Sequence, residues 1–291
     1  MMRSNTKEMI QKHNIRLTKS LGQNFLNDDS VVSRIVDAAE VGPEDLVLEV
    51  GPGIGSMTKE LARRASKVVA IEIDKHLMTA LKENLSEFSN VEIINEDILK
   101  VQISDIISRY LHQEVNGTPL KSVKVAANLP YYITTPIIMK FLEENPGIDA
   151  MVFMVQKEVA ERMAAKPGGK EYGALSVAVQ FYSQPEMVFN VPPHSFIPQP
   201  EVDSTVIKLR IHKTPPVQLL NRDTFFRTVK ASFGQRRKTL VNALANSGYF
   251  NISKEELKEI LVNKGIGENQ RGETLSILQF AELANALFGK R

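Results

Sequence analysis

Alternation dominates this chain from residue 46 onward. The apolar runs LVLEV (46–50), KVVAIEI (67–73), VEIIN (91–95), SVKVAAN (122–128) and AMVFMVQ (150–156) are each followed by a helical pattern. Helices are predicted to about Arg64, over 75–87, near 104–111, over 135–143 and on KEVAERMAA. Strands this continuously apolar, spaced by helices, demand a parallel sheet covered on both faces. PEMVFNV (185–191) and STVIKLRI (204–211) have no helix between them and predict an antiparallel edge hairpin. An α/β three-layer domain over residues 1–212 follows.

HKTPPVQ (212–218) reads as a linker, because its paired prolines end the last strand and stiffen the connection. Beyond it the period changes. RDTFFRTVKASF, RKTLVNALANSG, SKEELKEILVNKG and LSILQFAELANALF are helical patterns, with Gly248 and Gly265 as stops and Ser253 as an N-cap. Residues 219–291 are therefore expected to form a small all-α domain.

Cysteine is absent, which excludes disulfides, thiolate metal sites and thiol chemistry. The five histidines are scattered without the spacing of a metal site, so no metal is expected. The N-terminus lacks the apolar core of a signal peptide, and no apolar run approaches membrane-spanning length. A cytoplasmic location without membrane contact is the expectation. No heptads or apolar surface stripe call for a dimer, so a monomer is expected. Net charge is only +2, but the ends are basic. Before Gly22 stand Arg3, Lys7, Lys12, Arg16 and Lys19 against Glu8 alone, and from Pro216 onward twelve Lys/Arg face seven Asp/Glu. Two basic rims around an acidic body suit a polyanion, although charge alone equally describes a solvated surface.

Three strand ends carry candidate ligand positions. Glu49-x-Gly51-x-Gly53-x-Gly55 directly follows the first strand, where glycines let a ligand approach the backbone. Glu72 ends the second strand, 21 residues after Gly51, where an acid accepts hydrogen bonds from both ribose hydroxyls. Asp97 in NEDIL follows the third strand, placed for an adenine amine, though a loop or N-cap aspartate reads the same. The G-x-G-x-G spacing departs from the dinucleotide fingerprint. Together the three positions match S-adenosylmethionine, which has an adenosine but no phosphates to cradle.

At the end of the fourth strand stands Asn128-Leu129-Pro130-Tyr131. The exocyclic amine of adenine is a poor nucleophile, because its lone pair is delocalised into the ring. The Asn128 side-chain oxygen and the Leu129 carbonyl form an acceptor pair for its two N–H groups, drawing the nitrogen towards a tetrahedral shape. Alignment and electrostatics then carry the catalysis, without a strong base. Pro130 fixes the turn and Tyr131 offers a stacking face. Taken alone, NLPY is also an ordinary turn with a packing tyrosine.

The chain resembles the small-subunit ribosomal RNA adenine N6,N6-dimethyltransferases. The likeness runs from LGQNFLND (21–28) through LEVGPGIGSMT, EID (72–74), NED (95–97), ANLPYYI and SFIPQPEVDS (195–204) to GETLS. It implies a Rossmann-like, S-adenosylmethionine-dependent methyltransferase domain, with a helical RNA-binding domain over 219–291. By that likeness Asn24, Leu26, Gly51, Gly53, Glu72, Asp97 and Asn128 contact S-adenosylmethionine. LGQNFL becomes a lid that orders over the cofactor, and Phe196 stacks on the flipped adenine opposite Tyr131. The implied partner is small-subunit rRNA in an immature small ribosomal subunit, with two adjacent adenosines of the 3′-terminal hairpin loop each taking two methyls. Two departures stand out. The family usually has alanine at Gly272, where glycine would loosen the helix entry slightly, and the 108–121 connection is long. KPGGKEYG (166–173) reads as a mobile rim of the substrate mouth, and Arg236-Arg237-Lys238 as a phosphate contact.

Rival readings are the erythromycin-resistance dimethyltransferases of large-subunit rRNA, which share the catalytic motifs, and DNA adenine methyltransferases, which favour D/N-P-P-Y. A ribosome-assembly factor acting mainly by binding and a nicotinamide-dependent oxidoreductase complete the set.

Overall fold

The computed structural model describes residues 6–15, 21–111, 114–115 and 118–290. Arg3, Arg16 and Lys19 of the basic N-terminal arm, and part of the 108–121 connection, lie outside them. Along the chain come α1 (Thr6–Lys12), β1 (Phe25–Leu26), α2 (Asp29–Ala38), β2 (Asp45–Val50), α3 (Ser56–Ala62), β3 (Lys67–Glu72), α4 (Met78–Asn84), β4 (Val91–Asn95) and α5 (Ile103–Leu111). A short ribbon, β5 (Glu114–Val115) against β6 (Thr118–Pro119), occupies the long connection. There follow β7 (Ser122–Asn128), α6 (Thr134–Glu144), β8 (Ala150–Gln156), α7 (Lys157–Ala164), α8 (Ala174–Tyr182), β9 (Ser183–Val191), β10 (Phe196–Ile197) and β11 (Ser204–Ile211). The tail holds α9 (Arg222–Gly234), α10 (Leu240–Ala245), α11 (Lys254–Asn263) and α12 (Ile277–Leu287).

The main sheet has the order β4-β3-β2-β7-β8-β11-β9. From β4 to β8 all neighbours are parallel, and β11 runs antiparallel to β8. Strand order reverses between β2 and β7, the position where open α/β sheets bind ligands beyond their carboxyl ends. Every residue of β2 is buried. Val47, Val68, Ala126 and Met154 from the sheet pack with Val32, Ile35 and Val36 of α2 and Leu61 of α3. Side chains buried on both strand faces explain why these runs are apolar throughout rather than alternating.

The chain divides into two compact units, Met1–Ala160 with Pro185–Ile211, and Glu161–Gln184 with His212–Arg291. The sequence boundary at 212 assigns 161–184 to the first domain, whereas its contacts place it with the helical tail. The physical reason is aromatic packing. Phe181 lies 5.1 Å from Phe225 and 5.5 Å from Phe226, ring centre to ring centre. Helix α8 has no visible period in the sequence, being apolar at most positions, and Val177, Val179, Phe181 and Tyr182 are buried along it.

KPGGKEYG also belongs to this second unit, and it is pinned rather than free. Tyr172 is fully buried and donates its hydroxyl to the Leu275 carbonyl at 2.9 Å. Burial pushes its phenol pKa up to about 12. Arg236 donates to the carbonyls of Lys170 and Tyr172 and faces Glu273. Arg236 is thus a structural clamp, while Arg237 and Lys238 are exposed. Gly272 permits close approach. A Cβ there would stand 2.8 Å from the Ser232 carbonyl oxygen of α9.

Candidate active site

The parallel register brings the carboxyl ends of β2, β3, β4 and β7 level, and a cleft of about 1120 Å³, counted with the solvent at its mouth, opens above them. Its wall comprises the segment 21–26, the glycine loop 51–54, Glu72 and Ile73, Asp97 and Ile98, and Asn128 to Ile133. Of the residues singled out from the sequence, Asn24, Leu26, Gly51, Gly53, Glu72, Asp97, Asn128, Leu129, Pro130 and Tyr131 all line it. Phe196 does not.

Glu72 is held from the backbone. Its Oε2 accepts from the Gly53 N–H at 3.1 Å and its Oε1 from the Asp74 N–H at 2.8 Å. Burial raises its carboxyl above the usual range. The β4 end is tied to it: Asn95 Nδ2 and the Glu96 N–H both donate to the Glu72 carbonyl. This places Asp97 beside the acid, where its Oδ1 caps its own turn by accepting from the Leu99 N–H at 2.9 Å. Ile73, half exposed, and buried Ile98 form an apolar slot next to both acids. Sequence reasoning missed Ile73, although an apolar residue between two acids in EID at a strand end was a usable signal.

Asn128 is oriented by the opposite wall. Its Nδ2 donates to the Asn24 carbonyl at 2.9 Å, which turns Oδ1 away as an acceptor. The Leu129 N–H donates to the Met154 carbonyl of β8, fixing the peptide that follows. Pro130, at φ −59°, opens a 3-10 turn over Tyr131–Ile133, and its carbonyl accepts from the Thr134 hydroxyl. Tyr131 is half-buried, shares a hydrogen bond of 2.7 Å with Ser204 Oγ, and has its phenol pKa raised by burial.

Segment 21–26 closes over the glycine loop. The Phe25 ring fills the space where a Gly53 side chain would be: a Cβ there would stand 2.8 Å from Phe25 Cε1, at a φ of +61°. Gly22 similarly leaves room for the Tyr132 ring. β1 pairs antiparallel with β10, Leu26 opposite Phe196, and Asp28 caps α2 while accepting from Ser195 Oγ. The ribbon explains the position of Phe196. Its ring is 2% exposed, in the core with Leu26, Val191 and Val206. The expected stacking partner of Tyr131 packs beneath β1.

Glu49, one turn of strand below the glycine loop, is fully buried with neither carboxylate oxygen hydrogen-bonded. Desolvation, with the Glu72 charge adding to it, pushes its carboxyl up to about 8. The Thr58 hydroxyl opposes that shift by more than the Glu72 charge adds to it, but makes no hydrogen bond of ordinary geometry.

Known proteins resemble this chain in sequence and fold. A family model described as ribosomal RNA adenine dimethylase matches residues 14–287. Proteins named ribosomal RNA small subunit methyltransferase A are 53% identical in Clostridioides difficile (97% of this chain, 94% of the relative) and 52% identical in Alkaliphilus oremlandii (98% and 96%). A dimethyladenosine transferase from Plasmodium falciparum superposes with a TM-score of 0.74 at 26% identity, covering 89% of this chain and 95% of its own. The 23S rRNA methyltransferase ErmE gives 0.67 at 27% identity, covering 91% and 99%. With its parallel sheet, its switch-point cleft and the Asn128 acceptor at the cleft wall, this chain belongs to the ribosomal RNA adenine dimethylase family.

Proposed function

We propose that the chain transfers methyl groups from S-adenosylmethionine to the N6 amines of two adjacent adenosines in the 3′-terminal hairpin loop of small-subunit rRNA, as a step in small-subunit biogenesis. The observation that carries the reading is the orientation of Asn128: with Nδ2 committed to the Asn24 carbonyl, Oδ1 is presented as an acceptor at the cleft wall.

The residues fit such a donor. Glu72 retains lone pairs for ribose hydroxyls beyond its two backbone bonds. Asp97 and the Ile73–Ile98 slot suit an adenine edge and its faces, and the two orphaned oxygens of Glu49 suit a positive charge. The donor supplies an electrophilic sulfonium methyl. The chain's own part is positioning: Asn128 Oδ1 and the Leu129 carbonyl accept the two N–H groups of the target amine and aim its lone pair. Tyr131 offers its ring to the base, and the segment 21–26 excludes water. The proton leaves the alkylated nitrogen to water.

The small-subunit target rests on relatives of about half identity that bear that name over nearly the whole chain. ErmE, a large-subunit enzyme, shares the fold at 27% identity and marks the rival substrate. Arg237 and Lys238, exposed on the helical unit, would supply phosphate contacts in this reading. Small subunits lacking the modification, incubated with the protein and methyl-labelled S-adenosylmethionine, should acquire four methyls on two neighbouring adenosines by mass mapping. Label confined to large subunits would overturn the substrate assignment.

A further inference from the structure

Glu49 is the buried side chain of the cleft that the fold itself leaves unexplained. It sits among Val47, Leu48 and Val50 on a strand buried along its whole length, yet it is an acid with both oxygens unpartnered. An unpaired buried polar group is destabilising, and more so if charged, so packing alone would favour an apolar residue here. Among the described residues, no lysine or arginine acts on it. The neighbours whose influence reaches the carboxyl are Glu72 on β3 and the Thr58 hydroxyl on α3, and its strand partner on β7 is Ala126.

The register says what it faces. Glu49 pairs with Ala126, two residues before Asn128, and with Ala70, two residues before Glu72. It therefore lies below the gap between the ribose acid and the amine acceptor. A donor whose adenosine rests over β4 and β3, at Asp97 and Glu72, must carry its sulfonium and amino-acid end over β2 and β7 to reach Asn128. Its positive charge then stands above Glu49.

We propose that Glu49 is the counter-charge for the cationic end of the methyl donor, and that loading the donor drives a proton off the Glu49 carboxyl. The inference rests on S-adenosylmethionine as the donor and deepens that reading. In the donor-free protein the carboxyl keeps its proton, because burial penalises the anion by more than the Thr58 hydroxyl relieves it, and the neighbouring Glu72 adds to the penalty. When the cation arrives, the O–H bond breaks, its electron pair stays on the carboxylate and the proton passes to solvent. The cleft then holds an ion pair where a lone buried anion would be unstable. Donor affinity accordingly rises with pH until the donor-free carboxyl is itself ionised.

Calorimetry of S-adenosylmethionine binding to the full chain at about pH 6.5, in buffers of unlike ionisation enthalpy, counts the protons. About one proton should leave per donor bound in the wild type, and none in Glu49→Gln, whose affinity falls about tenfold or more. Glu72→Gln should bind more weakly yet retain the release, which separates the two acids. Should Glu49→Gln fail to fold, the infrared spectrum of the wild type reads the same event, as a protonated-carboxyl band lost on donor binding. No proton release by the wild type, equal release in Glu49→Gln, or an unchanged carboxyl band overturns the inference. Failure of the wild type to bind at all would remove the donor assignment along with it.

Discussion

The side-chain amide of Asn128 and the backbone carbonyl of Asn24, 104 residues apart in sequence, meet in a hydrogen bond of 2.9 Å. The bond does two jobs. It orients the acceptor on which amine alignment depends, and it fastens the 21–26 segment to the end of β7. Substitution at Asn128 should therefore touch both turnover and the anchoring of segment 21–26.

Asn128→Ala should lower kcat for methylation of small subunits by about 10²–10³, the range lost when one preorganised electrostatic partner is removed. Asn128→Asp should do no better, since a carboxylate has no hydrogen to give the Asn24 carbonyl. Single-turnover methyl transfer with labelled donor measures this. Near wild-type turnover in the alanine variant would remove the amide from the mechanism.

Gly53→Ala should weaken donor binding. Its Cβ would stand 2.8 Å from the Phe25 ring, and the φ of +61° strains any side chain. Together these should push β1 off the loop, with a loss of about tenfold in affinity, worth ~1.4 kcal/mol. Direct titration of donor onto the variant reads the change.

Phe196→Ala should reduce stability by about 3–5 kcal/mol, as for a large aromatic removed from a close-packed core. Thermal or urea unfolding of the donor-free protein measures it. A variant of wild-type stability that has lost only turnover would instead return the ring to the cleft.

Gly272→Ala should destabilise the helical unit, because the new methyl would meet the Ser232 carbonyl of α9 at 2.8 Å. Overpacking of this kind costs about 1–3 kcal/mol. Hydrogen exchange across α9 and α12 should rise, with donor affinity unchanged.

The buried acids give the donor-free protein a definite pH profile. Glu49 is raised from 4.5 to about 8, so between those values the folded chain keeps a proton that the unfolded chain has released. Stability must then fall as pH rises through that window and level off above it, and Glu72, raised for the same reason, adds in the same direction. At ~1.4 kcal/mol per pKa unit the loss amounts to a few kcal/mol. Melting temperatures recorded across the window should decline in the wild type and much less steeply in Glu49→Gln.

Much of this was legible in the chain. β4, β7, β8 and β11 begin and end where their strand-like runs do, because each run is bounded by turn or helix-starting residues that are themselves local signals. Glu72, Asp97 and Asn128 stood out as polar residues at the ends of such runs, and the structure gathers them around one cleft. Phe196 illustrates the opposite case. An aromatic in FIPQP shows no local sign of which way it faces; that depends on β10 pairing with β1, with Leu26 opposite Phe196 across 170 residues of chain.

What the sequence determined by itself is the alternation of buried strands and helices. A parallel sheet follows, with the ligand positions at its carboxyl ends, because that periodicity is a local property of neighbouring residues. What only the tertiary structure decided are contacts between distant segments: the turn of the Asn128 amide, the burial of Phe196, the grouping of 161–184 with the helical tail, and the unpartnered state of Glu49. Each is set by which surfaces exclude water from one another, and no short stretch of chain holds that information.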